Sequence, residues 1–264
     1  MAPDVAALFH PDGEGLNSAP HARGPWDEHT MHGGAPAALL AGAIEAAQPG
    51  DALAVTRLTI EFLGGVALGS VRVGTEVVRP GRRFQVVDAT LHAGERPVCL
   101  ARAVRVRRAD LSGAEAVPAG AGARLPPPER GEAMTPFSDD GSEQFHPDAC
   151  EIVRVGGAFG SGAVAAWIRL RCPVVTGSKP SQLQRVAAAA DFANGLGWIL
   201  PFGEWLFVNT ELTIHLAREA SGEWIGLDAR SSISGAGFGL STATLHDSRG
   251  PFGACAQSLF VEPR

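Results

Sequence analysis

Asp191 closes the run Val186-Ala187-Ala188-Ala189-Ala190. On a helix whose small side chains suit it to an interior, a carboxylate is costly unless something uses or satisfies it. Such a group can take a proton from a water that attacks a carbonyl carbon, an assistance of roughly 10²–10⁴ in rate. The plainer alternative is an acid that faces solvent or caps a turn. Gln257 interrupts an apolar, strand-like run with a side chain that both donates and accepts. It can hold that water against Asp191, or it is simply an edge glutamine. His32-Gly33-Gly34 precedes a helix candidate, where unpaired N–H groups and the positive end of the helix dipole favour a developing negative charge. Two glycines let a substrate approach the main chain closely. Gly34 N–H, with Gly33 beside it, is therefore a candidate oxyanion donor, a contribution of about 10²–10³ in turnover; a tight loop-to-helix turn is the alternative. His32 reads as a structural or substrate-contacting residue. Arg82 and Arg83, beside Arg79-Pro80-Gly81, are candidate phosphate ligands or the solvated tip of a hairpin.

The elements that must position these groups occur twice. Leu58-Thr59-Ile60-Glu61-Phe62 returns as Leu212-Thr213-Ile214-His215-Leu216, and Ala89-Thr90-Leu91-His92 as Ala243-Thr244-Leu245-His246. Pro97 returns as Pro251, all three at a spacing of 154 residues. Unrelated coincidences would scatter over many offsets, so the chain reads as a duplicated domain. Gln257 has Ala103 as its counterpart, so only the second copy carries the amide.

In the first copy a helix is expected over Gly34–Ala47, with Pro36 in its first turn and Pro49-Gly50 after its end. Period-two runs follow at Val55–Leu63, Ser70–Arg79, Phe84–His92 and Val98–Arg107. The second copy offers Ala163–Leu170, a helix over Ser181–Asn194, and strands over Leu206–Leu216, Glu223–Ile233, Gly239–His246 and Gly253–Val261. Residues 1–110 and 145–264 are thus the two domains. The Ala-, Gly- and Pro-rich stretch 111–144 is a linker whose composition cannot bury a core. The fold class is α+β: an antiparallel sheet curled about one small-residue helix in each copy, two sheets packed side by side.

The 264 residues suffice for two ordinary domains. The net charge of −6 argues against general nucleic-acid binding. No apolar run is long enough for a membrane span, and the N-terminus lacks the pattern of a secretory signal. Cys99, Cys150, Cys172 and Cys255 show no CxxC pairing; buried free thiols in a reducing cytoplasm are expected. No His/Cys spacing supports a metal site. The glycines of Gly235–Gly239 precede no helix, which excludes a dinucleotide loop. Ser241 lies inside a strand with no helix after it, against a nucleophile elbow.

Five segments spread over nearly the whole chain carry a resemblance. They are His32–Leu40, Arg79–Arg83, Ala190–Asn194, Asn209–His215 and Gln257–Leu259. With the duplication, they make the chain resemble the acyl-CoA thioesterase superfamily in its tandem double-hotdog form, close to the acyl-CoA thioesterase II type. The resemblance implies hydrolysis of an acyl-CoA thioester at the interface between the halves, no cofactor, and further pairing into a dimer or trimer of double hotdogs. The family's catalytic aspartate falls on Asp191. Its hydroxyl residue falls on Phe207, a departure that leaves Asn209, two residues along the same strand face, as the substitute, with Thr210 next. In single-hotdog relatives the acid follows the histidine by nine or ten residues; here Ala41 and Gly42 stand there, and Glu45 is one turn beyond. A division of labour follows: glycine-rich helix start from the first copy, acid and glutamine from the second, and a dead pseudo-symmetric site. Two alternatives stay open: a non-catalytic acyl-CoA binder, and a hydratase-type hotdog enzyme, for which the sequence after Asp191 lacks the histidine.

Overall fold

A computed structural model describes residues 6–47, 52–111, 123–134 and 141–264. Pro49-Gly50 and much of the linker lie outside the described residues. A hairpin of β1 (Phe9–Asp12) and β2 (Gly15–Ser18) precedes α1 (Gly34–Ala46). β3 (Leu53–Phe62), β4 (Ser70–Arg79), β5 (Phe84–Ala93) and β6 (Arg96–Arg107) complete the first copy. After β7 (Glu132–Ala133) come β8 (Cys150–Ala158), β9 (Ala163–Leu170), α2 (Gln182–Ala190) and α3 (Phe192–Leu196). The chain ends with β10 (Trp205–Asn209), β11 (Glu211–Leu216), β12 (Trp224–Ile233), β13 (Phe238–Asp247) and β14 (Gly250–Pro263).

The two sheets, expected side by side, are joined edge to edge. The strands form one sheet in the order β1-β2-β4-β5-β6-β3-β11-β14-β13-β12-β9-β8-β7, with β10 added on β14. β3 and β11 would each leave an open row of N–H and C=O groups, and their antiparallel pairing closes both edges at once. Leu58 opposes Ile214, Thr59 opposes Thr213 and Ile60 opposes Leu212. Thr59 thus faces its own repeat mate, hydroxyl to hydroxyl at 3.3 Å, and the pseudo-two-fold axis of the duplication runs through this pair.

Both helices lie on that sheet and against each other. α1 is buried from Gly34 to Ala41 and again at Ile44, which explains why it carries small residues on every side. A Cβ at Gly34 would lie 2.8 Å from Ala188 O of α2. At the other end of the pair the Ser181 hydroxyl donates to Glu45 Oε2 at 2.5 Å, so the helices run antiparallel. One core continues through both copies.

Four elements were not legible in the strand pattern: the β1–β2 hairpin, β8, the helical turn Phe145–Ala149 and β7. β7 falls inside the expected linker, yet it pairs with β8, and Trp167 Nε1 donates to Pro126 O at 2.7 Å. All four cysteines are free and buried. Burial pushes the Cys99, Cys172 and Cys255 thiols up to about 12, which leaves them unreactive.

Glu45 gives the first testable consequence. Burial raises its carboxyl above the ordinary range, partly offset by the Ser181 hydroxyl and by Arg105. The folded chain therefore holds this proton more tightly than the unfolded one. The cost of ionising it is absent at low pH and grows as pH rises through the window above the unfolded value. Glu45→Gln, which keeps an acceptor for Ser181, is expected to raise Tm more at pH 7 than at pH 4 in paired thermal melts.

Candidate active site

The expected helix over Ser181–Asn194 is two helices. Ser181 opens α2 with a capping box: its Oγ accepts Gln184 N–H at 3.1 Å and Gln184 Oε1 accepts Ser181 N–H at 2.9 Å. α2 stops at Ala190, and Asp191 is at once the last cap of α2 and the first of α3. The acid therefore stands at a break in the helix axis, where its side chain can leave the packed face. It is 6% exposed.

Three side chains meet this carboxylate. Asn209 Nδ2 donates to Oδ1 at 2.9 Å. Gln257 Nε2 lies 3.4 Å from Oδ1 and 3.3 Å from the Asp191 carbonyl oxygen. His32 Nδ1 lies 3.0 Å from Oδ2. Oδ1 is thus occupied by two amide donors, and Oδ2, opposed by His32 alone, keeps a lone pair.

The strand expected over Leu206–Leu216 is broken at Thr210, and that break turns Asn209 towards Asp191. β10 pairs with the outer half of β14 and β11 with its inner half and with β3. Thr210 is exposed and lines the same cavity, but its hydroxyl donates to Ser258 O at 3.3 Å rather than to the acid. Phe207 is buried in a small second core with Leu259 and Val261.

Gln257 is fully buried and does not line the cavity beside Asp191. Its Oε1 accepts Asn194 N–H at 2.9 Å, so both ends of the amide are engaged by protein. The expectation that it holds a water is corrected: it fixes the start of α3 and the carboxylate instead. Asn194 is a residue whose role sequence reasoning missed. Its Nδ2 donates to Phe207 O at 2.7 Å, while its buried Oδ1 has no partner among the described residues.

Gly34 also departs from expectation. Its N–H donates to His32 Nδ1 at 3.0 Å, and the residue is buried beneath Ala188 and Phe145, so this N–H is not open to a ligand. Gly33 lines the cavity, and its N–H makes no hydrogen bond among the described residues. A Cβ on Gly33 would sit 2.8 Å from Asp191 Oδ2 and 2.9 Å from Oδ1. The carboxylate rests directly on the glycine. His32 packs against Phe145 (4.7 Å, 23°) and Phe192 (4.4 Å, 38°), which also stack on each other at 5.7 Å, so the three rings form one cluster. One ring nitrogen therefore faces both Gly34 N–H and Asp191: bare, it accepts from Gly34; protonated, it donates to Oδ2.

Arg82 and Arg83 are remote from this centre. Phe84, next to them, pairs with Val106 at one end of β6, while Phe62, at the cavity, pairs with Cys99 near the other end. Seven residues of strand separate those positions, about 23 Å. The neighbouring Arg79 donates to Phe84 O at 2.9 Å and lies over the Phe84 ring, so the turn is braced by its own cation. Glu45, committed to Ser181, lies at the far end of the helix pair from Asp191.

The cavity at Asp191 has a volume of about 300 Å³. Met31, Val66, Phe192, Phe202, Phe207 and Phe260 supply apolar lining, and Asp191, Asn194, Asn209, His32 and Thr210 are among the polar groups. Both copies contribute. A carboxyl group at the foot of an apolar pocket, with backbone N–H and amide groups around it, suits addition of water to a polarised carbonyl.

Comparison with known proteins agrees with this chemistry. The profile of the acyl-CoA thioesterase N-terminal domain matches residues 22–106, and that of the C-terminal domain matches residues 120–261. No curated protein matches the chain. Among solved structures, a provisionally assigned thioesterase from Novosphingobium aromaticivorans DSM 12444 is 20% identical, with a TM-score of 0.74 over 96% of this chain and 98% of that one. A provisionally assigned thioesterase II from Thermobifida fusca YX is 18% identical, with a TM-score of 0.74 over 99% of both chains. A conserved protein with the hot dog fold from Alicyclobacillus acidocaldarius is 16% identical, with a TM-score of 0.71 over 96% of this chain and 95% of that one. At such identities these likenesses establish the fold, and it is the hotdog fold. No helix among the described residues is long and apolar enough to cross a membrane.

Proposed function

The chain belongs to the acyl-CoA thioesterase family, and from that premise we propose that it hydrolyses acyl-CoA to a free acid and coenzyme A at one composite site, with Asp191 as the base. The observation that carries this reading is the buried Asp191 carboxylate, held at Oδ1 by Asn209 and Gln257 and left with a lone pair on Oδ2 at an apolar cavity. A water bound at Oδ2 gives it a proton as its oxygen bonds to the thioester carbon. Asn194 lines the same cavity, and its Nδ2 bond to Phe207 O ties that wall to β10 beside the carboxylate. The negative charge that develops on the carbonyl oxygen is received by Gly33 N–H. Collapse breaks the C–S bond, and the thiolate of coenzyme A leaves and recovers the proton from Asp191. Asn209 and Gln257 position the carboxylate and touch no reacting atom.

The pseudo-symmetric end of the helix pair carries Glu45 and Ser181 in place of Asp191 and His32 and supports no second site. The same reading places the protein in the cytoplasm, where four free thiols persist, as a dimer or trimer of double hotdogs.

The direct test is thiol release from acyl-CoA by the purified chain, followed with a thiol reagent. Sustained release above the uncatalysed rate is the expected result. Binding of acyl-CoA without release would overturn the reading in favour of a degenerate binder; hydration of an enoyl-CoA would overturn it in favour of a hydratase. Asn209→Ala leaves Oδ1 with the longer Gln257 contact alone, and kcat is expected to fall about ten-fold with KM little changed, the signature of a lost positioning bond. Asn209→Thr, which restores a hydroxyl donor on this strand, is expected to recover part of it.

A further inference from the structure

The segment Trp198-Ile199-Leu200-Pro201-Phe202 has no counterpart in the first copy, and the chemistry above makes no use of it. It folds against the loop before α1. Phe202 stacks on Trp26 with centroids 4.5 Å apart and planes at 22°. Phe207 meets the same indole edge-on at 4.8 Å and 87°. The Arg264 guanidinium lies 5.3 Å from both the Trp26 and Phe202 rings, and Arg264 N–H donates to Glu204 O at 2.9 Å. All three rings line the cavity at Asp191, and behind them stand Leu259, Val261 and Trp205.

This wall is a packed aromatic cluster drawn from both copies. Aromatic pairs in such offset-stacked and edge-on contacts stabilise one another, which holds the wall in place. The space left at Asp191 is about 300 Å³, the low end of ligand pockets.

We infer that the Trp26–Phe202–Phe207 wall sets the substrate class: compact acyl groups, short-chain or aryl-bearing, with long fatty acyl chains excluded. The inference rests on the thioesterase reading for its substrate, but its geometry is that of a binding pocket.

The test is a series of acetyl-, hexanoyl-, phenylacetyl-, dodecanoyl- and palmitoyl-CoA with wild type, Trp26→Ala and Phe202→Ala. Both residues are half-buried, so either change is tolerable to the fold, and thermal melts check it. In wild type, kcat/KM is expected to fall at least ten-fold from hexanoyl- or phenylacetyl-CoA to dodecanoyl-CoA. Each variant is expected to shrink that ratio at least three-fold. Dodecanoyl-CoA turned over as well as hexanoyl-CoA by wild type would overturn the inference, as would a ratio unmoved in both folded variants. Non-hydrolysable thioether analogues of the same lengths, read by Kd, separate this outcome from failure of the hydrolytic reading. The same size limit in Kd without any thiol release would leave the pocket as inferred and remove the chemistry. Equal Kd across the series would overturn the size limit whatever the chemistry.

Discussion

Asp191→Asn is expected to lower thiol release by at least about 100-fold, the scale of a lost general base. The substitution is close to isosteric. An amide oxygen at the Oδ1 position still accepts from Asn209 and Gln257, and an amide nitrogen at the Oδ2 position can donate to bare His32 Nδ1. The fold and the cavity should therefore survive, and a thermal melt within a few degrees of wild type with unchanged Kd for acyl-CoA analogues would confirm it. The loss is then assigned to the missing proton acceptor. A rate unchanged by this substitution would remove Asp191 from the chemistry, and Glu45 could not take its place because it is bonded to Ser181 at the opposite end of the helix pair.

Gly33→Ala is expected to cost about as much, by a different route. The new methyl group would lie 2.8–2.9 Å from both carboxylate oxygens. The acid cannot simply turn away, because Asn209 and Gln257 hold Oδ1, His32 faces Oδ2, and His32 is itself packed in one ring cluster with Phe145 and Phe192. A displacement near 1 Å at a reacting group can cost on the order of 100-fold. We expect kcat to fall by that order, with Tm lowered only modestly since Gly33 is partly exposed and has ordinary helical backbone angles. Full activity in Gly33→Ala would mean that the carboxylate has room to move and that its tight seating is unimportant.

The two predictions separate what the linear chain discloses from what it hides. The duplication is a property of residue order, so the 154-residue spacing was visible in short strings, and with it the paired helices and the strands after them. The isolation of Asp191 at the end of an alanine run was equally plain, because a charged group among small apolar ones is a local anomaly with a high cost.

Direction and distance were not visible. Gly33 and Gly34 are chemically identical neighbours, and only the antiparallel packing of α1 on α2 puts the first against the carboxylate and the second beneath Ala188. Gln257 and Asn209 look alike in composition. The strand break at Thr210 turns Asn209 to the acid, while the continuous β14 buries Gln257 behind it. Arg82 and Arg83 carried the right charge for phosphate, but register places them at the wrong end of the strands. The joining of two sheets through Thr59 and Thr213 is likewise a long-range hydrogen-bonding choice that no local pattern encodes. Residue type and order by themselves determined the duplication, the main helix and strands of each copy and the chemistry available. Tertiary structure alone decided which of those groups meet, because contact depends on register, helix breaks and packing between residues from 18 to more than a hundred positions apart.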